Sequence, residues 1–222
     1  MADNYLEYRQ EELSRARTKI VRKSYPSLDT LLHRNRSYRA FDPSRTVPEA
    51  ELRDILRAVT LTASGMNRQA LRFRLVTAEE AAAVLPHITL GGALPQEHLP
   101  HPGSEPGAFI VVCATVPEDR ALDMDIGFAA QSILLRATEK GLGGVFILNL
   151  RRDALKAALG LTLDPLAVIA IGKPAEPVFL RPVTPGEKDP DLRYYRKEGV
   201  HYVPKLSVDD LVLPHAEAAG RE

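Results

Sequence analysis

Leu52, Ile55, Leu56 and Val59 recur at helical spacing, and so do Ile126, Ala129, Ala130, Ile133, Leu134 and Ala137. Each set puts its apolar side chains on one stripe, which predicts two helices with buried faces. Residues 108–115 and 166–171 are instead continuously apolar and rich in β-branched side chains, as in strands covered on both faces, and 145–150 is a third apolar strand. Phe73, Arg74, Leu75, Val76 and Thr77 alternate, as a half-buried strand does. Ser27 is placed to cap a short helix carrying Leu28, Leu31 and Leu32, and Thr46 and Glu49 stand at capping-box spacing before the next helix. The long apolar helix is expected over 125–140, capped by Asp123 and Asp125 and stopped by Gly141. A short helix over 151–159 closes at Gly160, and the alanine-rich stretch 78–86 predicts one more.

Between these elements, residues 91–107 hold adjacent glycines, several prolines and two histidines, and form a long irregular loop of the kind that borders a site. Residues 173–190 are proline-rich and are expected to be irregular. The tail, 191–222, mixes aromatic, basic and apolar residues as far as 213 and must lie on its own sheet or on a second subunit. Residues 1–26 form a charged N-terminal arm with sparse apolar positions. Helices and strands interleave without repeats, so residues 27–190 are expected to be one α+β domain, a sheet with helices packed on it.

At 222 residues a single core is a comfortable fit. Lys+Arg and Asp+Glu number 29 each, so the formal net charge is zero and nothing pulls the chain toward nucleic acid or anionic lipid. Neither is expected as a partner. Cys113 is the only cysteine and lies inside an apolar run, where a buried structural thiol is expected and an internal disulfide is impossible. No stretch approaches a membrane span, and the polar start is unlike a signal peptide, so a cytoplasmic location is expected.

Several chemistries are missing. No G-x-G-x-x-G follows a strand, the glycines at 141, 143 and 144 lack the Lys-Ser/Thr of a phosphate loop, and no G-x-S-x-G is present. His98 and His101 are separated by a proline with no cysteine near, so no metal site is expected. What stands out is the stretch from Asn35 to Asp42, with Arg36, Ser37 and Arg39 close together after a short helix. Guanidinium groups and a hydroxyl suit a phosphate. With no evident acid, base or nucleophile, a cofactor would carry the chemistry and the protein would bind and orient it.

The order of motifs supplies the cofactor. Arg36, Ser37, Tyr38, Arg39 and Phe41 resemble the N-terminal motif of the nitroreductase family of FMN-dependent oxidoreductases. Ser64, Gly65, Met66, Asn67, Arg68 and Gln69 resemble its second motif, a serine-rich turn followed by N-x-Q. Asp125, Gly127, Ala129 and Gln131, with the later turn at 141–143, resemble its central helix. Residues 169–174 resemble its last core strand, and Tyr194, Tyr195, Arg196 and 201–205 resemble the tail of a subset. The resemblance implies a nitroreductase-like fold, a mixed or antiparallel sheet flanked by helices in an intertwined homodimer, with FMN at the interface. It says nothing of residues 1–26.

Carried over by position, Arg36 and Ser37 would serve the phosphate and ribityl end, and Arg39 the carbonyl edge of the flavin, where a cation stabilises developing charge. Asn35 stands where many relatives carry a basic residue. Ser64, Gly65 and Asn67 would approach the flavin from the other subunit, although the same residues also suit a turn that bonds to itself. Phe146, Ile147, Leu148 and Asn149 would flank the central ring, with the Leu148 backbone amide toward N5. Lys205 matches a phosphate-contacting position, and Arg196 is a further basic candidate. The activity implied is hydride transfer from NADH or NADPH, by a ping-pong cycle, to a nitroaromatic, quinone or enone. Reductive dehalogenation, azoline oxidation, flavin breakdown and a non-catalytic flavin sensor are the alternatives.

Overall fold

The structure is a computed structural model, and it describes residues 25–92 and 94–213. Most of the charged arm therefore lies outside the described residues, as does the end of the tail. Four strands form the main sheet: β1 (Leu71–Val76), β2 (Ala108–Ala114), β3 (Gly143–Ile147) and β4 (Pro165–Gly172). Their order is β1-β2-β4-β3, and every pairing is antiparallel.

β2 and β4 occupy the centre, which explains their unbroken apolar sequences. Ile110, Val112, Ile169 and Ile171 face one cluster, with Leu52 and Ile55 of α2 (Glu49–Leu56) and Ile126, Ile133 and Ala137 of α3 (Arg120–Glu139). The alternate residues Phe109, Val111, Cys113, Val168 and Ala170 face a second, closed by Val84, Leu90 and Leu155. Leu155 belongs to α4 (Arg152–Ala158). With both faces covered, an antiparallel strand shows the continuous pattern usually found in parallel sheets. Cys113 is buried, as its setting predicts, and burial pushes its thiol pKa up.

α1 (Leu28–Arg34) is capped as expected, the Ser27 hydroxyl accepting from the Thr30 amide at 3.2 Å. Elsewhere the predicted boundaries move. α2 has Pro48 at its N-cap with no side-chain cap, so the Thr46–Glu49 box does not form. α3 begins five residues earlier than its apolar pattern suggests, because Asp119 caps it, accepting from the Leu122 amide at 2.7 Å. Neither Asp123 nor Asp125 is the N-cap, and Asp125 turns into the core. Residues 78–86 form turns and the short 3-10 segments Ala81–Ala83 and Leu85–His87 instead of an α-helix, and Pro86 cannot continue a helical ladder.

Residues 173–190 are not wholly irregular. β5 (Val178–Pro182) pairs in parallel with β7 (Val200–Lys205), and β6 (Tyr195–Lys197) pairs antiparallel with β7, making a separate three-stranded sheet. The described part of the tail thus folds first onto its own chain. α5 (Val208–Leu211) follows with a capping box of Ser207 and Asp210.

Candidate functional site

The segment after α1 lies along the edge of the main sheet. The Tyr38 amide donates to the Gly144 carbonyl at 3.1 Å, the Phe41 amide to the Ser104 carbonyl at 3.0 Å, and the Asp42 amide to the Lys173 carbonyl at 2.8 Å. Ser37 forms a parallel bridge to Gly144 at the edge of β3. Glycines make this approach possible. A Cβ on Gly143 would lie 2.5 Å from the Tyr38 ring, and one on Gly172 would lie 2.7 Å from the Phe41 ring. Gly143 of β3 thus seats Tyr38 and Gly172 at the end of β4 seats Phe41, while Gly141 serves as the helix stop, at a φ of 75°.

The two arginines of that motif part company. Arg36 is half-buried, donates from Nη2 to the Leu32 carbonyl, and has a buried Nε with no partner. Burial lowers its pKa, yet a guanidinium stays charged at any physiological pH. The neighbouring Ser37 is exposed. Arg39 is only 7% exposed and turns toward the small sheet. Its Nη1 donates to the Ser37 carbonyl at 2.9 Å, its guanidinium carbon sits 4.6 Å over the Tyr194 ring, and its Nε is also buried without a partner.

The second motif is a tight turn pinned to α3. Met66, Asn67 and Gln69 all take positive φ. The Gln69 amide donates to the Ser64 hydroxyl at 3.2 Å and the Gln69 side chain to Asn67 Oδ1 at 3.1 Å, so the turn does bond to itself. It is also anchored from outside, because the Gly65 amide donates to Asp125 Oδ1 at 2.8 Å. Arg68 pairs with Asp119 at 2.9 Å, and this contact, with the Leu122 amide, holds the Asp119 pKa down to about 2. Asp125 is 3% exposed and its Oδ2 has no partner. Behind the turn lies a cavity of about 230 Å³, lined by Leu56, Val59, Gln69, Phe73 and Asp125 among others.

At the far end of β3, Ile147 is buried, Phe146 is half-buried, and Leu148 and Asn149 are exposed. Phe146 and Leu148 border a cavity of about 430 Å³ with Asp123, Ile126, Gly127 and Arg152. The first motif and the strand end thus share β3. The Ser64 turn and the strand end share the first turns of α3. Lys205 stands apart, exposed at the end of β7 on the separate sheet. It is four residues beyond His201, about 13 Å along the strand. His201 is 1% exposed, its ring centroid lies 5.1 Å from that of Tyr194, and burial together with the Arg39 charge pushes its pKa down to about 4.

The anchors around these motifs were not among the expected site residues. Asp125 was assigned to capping, and Glu176, which bonds the first motif, lies in a proline-rich stretch with no local signal. Among the described residues no cluster of potential metal ligands is found, and no helix is long and apolar enough to cross a membrane.

Comparison with known proteins agrees with this layout. Residues 32–173 match the Nitroreductase family, and the chain belongs to that family. Nitroreductase A from Vibrio parahaemolyticus is 25% identical at a TM-score of 0.53, over 69% of this chain and 69% of its own. A variant of an FMN- and NADPH-dependent nitroreductase from a Sphigopyxis strain is 22% identical at a TM-score of 0.58, over 67% of this chain and 88% of its own. A candidate nitroreductase from Exiguobacterium sibiricum, solved in complex with FMN, is 18% identical at a TM-score of 0.56, over 69% of this chain and 91% of its own. These likenesses carry the fold. No curated protein matches the chain in sequence.

Proposed function

We propose that this chain is an FMN-dependent oxidoreductase that takes hydride from NADH or NADPH and passes it to a small organic acceptor. The observation that carries the reading is the placement of two motifs on one strand. Ser37 bridges the start of β3, Phe146 and Ile147 form its end, and Leu148 and Asn149 follow directly. Four residues separate Gly144 from Leu148, about 13 Å of strand. That span suits a ligand with a phosphate at one end and a flat ring at the other.

The donors present fit FMN. Arg36 has an unpartnered Nε and the next residue, Ser37, is exposed, a charged and a neutral donor for phosphate. Arg39, assigned by position to the carbonyl edge of the ring, is 7% exposed and faces Tyr194 and the small sheet, so that role would take a change of its rotamer. Leu148 is assigned through its backbone amide to N5, and Lys205 to the phosphate in the assembled protein. When bound, FMN supplies the hydride-accepting and hydride-donating centre. The protein's residues hold it, orient the two partners in turn and exclude water.

A homodimer belongs to the same reading. Met124 and Phe128 are 49% and 54% exposed, one helical turn apart on the central helix, with Gly127 exposed beside them. α1 packs on α3 and adds exposed Leu28 and Leu32. An apolar set of this kind on a folded protein marks an interface. A partner seated there is the source we assign for the Ser64 turn approaching each flavin. Uptake of FMN by the purified protein, followed by NADH- or NADPH-dependent reduction of an added nitroaromatic or quinone, tests the function. Bound FMN with no such turnover would favour a sensor or another reaction of the superfamily.

A further inference from the structure

Between β4 and β5 a single carboxylate ties four parts of the chain together. Glu176 Oε1 accepts the backbone amides of Arg39 and, at 3.2 Å, of Ala40, while Oε2 takes Arg196 Nη2 from β6. The Glu176 and Arg196 side chains are 5% and 13% exposed. The other guanidinium nitrogen of Arg196, Nη1, lies 3.7 Å from Glu97 in the 91–107 loop. Tyr194 and His201 complete the packing around Arg39.

This arrangement is more than a buried ion pair. The first motif reaches its neighbours through the amides of Tyr38, Phe41 and Asp42. The intervening amides of Arg39 and Ala40 donate to no backbone carbonyl among the described residues, and buried amides need an acceptor. Glu176 is that acceptor, and Arg196 offsets the cost of burying its charge.

We propose that Glu176 is a positioning residue for the cofactor site. It fixes the backbone of residues 39 and 40, and through Arg196 and Glu97 it makes that geometry depend on the docked C-terminal sheet and the 91–107 loop. The proposal rests on the FMN reading above.

The test compares wild type, Glu176→Ala and Glu176→Gln in the full chain by amide hydrogen exchange and FMN titration. In the alanine variant, exchange at Arg39 and Ala40 is expected to rise at least about tenfold and the FMN Kd about tenfold, as for loss of a charge-assisted hydrogen bond. Glutamine retains an acceptor oxygen for both amides but turns an NH2 toward Arg196, so it is expected to restore protection at Arg39 and Ala40 and to leave the Kd about threefold above wild type, as for Arg196→Gln. An alanine variant that binds FMN as wild type does, or a glutamine variant as impaired as alanine, overturns the proposal. So does a lowered melting temperature with exchange and Kd unmoved. Should the alanine variant not fold, Arg196→Gln carries the test. It is expected to speed exchange in residues 195–205 and raise the Kd about threefold, and wild-type values in both overturn the proposal. Wild-type protein that takes up no FMN overturns the flavin reading itself, whatever the variants do.

Discussion

Asp125 shows how a helical carboxylate can serve another segment's backbone. It lies inside the cap made by Asp119, so its charge is not needed at the helix start, and its Oδ1 holds the Gly65 amide of the Ser64 turn. Asp125→Ala is expected to cost about 1.5–3 kcal/mol by urea unfolding, the range for a hydrogen bond to a charged group, and to weaken FMN binding. His201 makes the pH prediction. Its pKa falls from the ordinary 6.5 to about 4 on folding, through burial first and then Arg39 and Arg196, against the opposing pull of Glu176 and Glu97. The unfolded chain therefore binds the proton first. Stability from neutral His201 is complete above about 6.5 and is lost as pH falls from there toward about 4. Urea midpoints across that window should decline more steeply for wild type than for His201→Leu. At this scale the pairing of a charged and a neutral donor, Arg36 and Ser37, was legible because the two are adjacent in the sequence. Asp125 was not, because Asp119, Asp123 and Asp125 are all good capping residues and only tertiary packing selects among them.

Among the elements, β3 is the one on which the proposed site depends, and its glycines set how closely its neighbours pack. A Cβ on Gly144 would overlap the Ala170 carbonyl of β4 and lie 2.8 Å from Leu134. Backbone cannot yield as a side chain end can, so Gly144→Ala is expected to cost about 1–3 kcal/mol in urea unfolding, the usual cost of overpacking. A change below about 0.5 kcal/mol, typical of an unconstrained surface site, would contradict the close packing of β3 against β4 and α3 at this position. The long apolar runs announced β2, β3, β4 and α3, because burial on two faces leaves little room for polar residues. β5 escaped notice because prolines surround it and its pairing partner lies in the distant tail. The expected helix at 78–86 failed for the opposite reason: alanine favours helix, but Pro86 and the local packing impose short turns.

For the whole molecule, the family and the α+β fold were legible because several ordered motifs and the alternation of elements agree. The proposed homodimer was not legible in residue patterns, since its support is only exposed apolar residues such as Met124 and Phe128. On the proposed homodimer, wild type is expected to sediment as a dimer and Phe128→Glu as a monomer in sedimentation velocity, with weakened FMN binding. A variant that stays dimeric would move the interface off this face of α3. The central claim, a flavin held along β3 and reduced by a nicotinamide, is tested most directly by anaerobic absorbance spectroscopy of the FMN-incubated, gel-filtered protein. The account predicts a retained visible flavin band that NADH or NADPH bleaches and an added acceptor restores. Protein that emerges colourless, or a retained band that neither nucleotide bleaches, would contradict it.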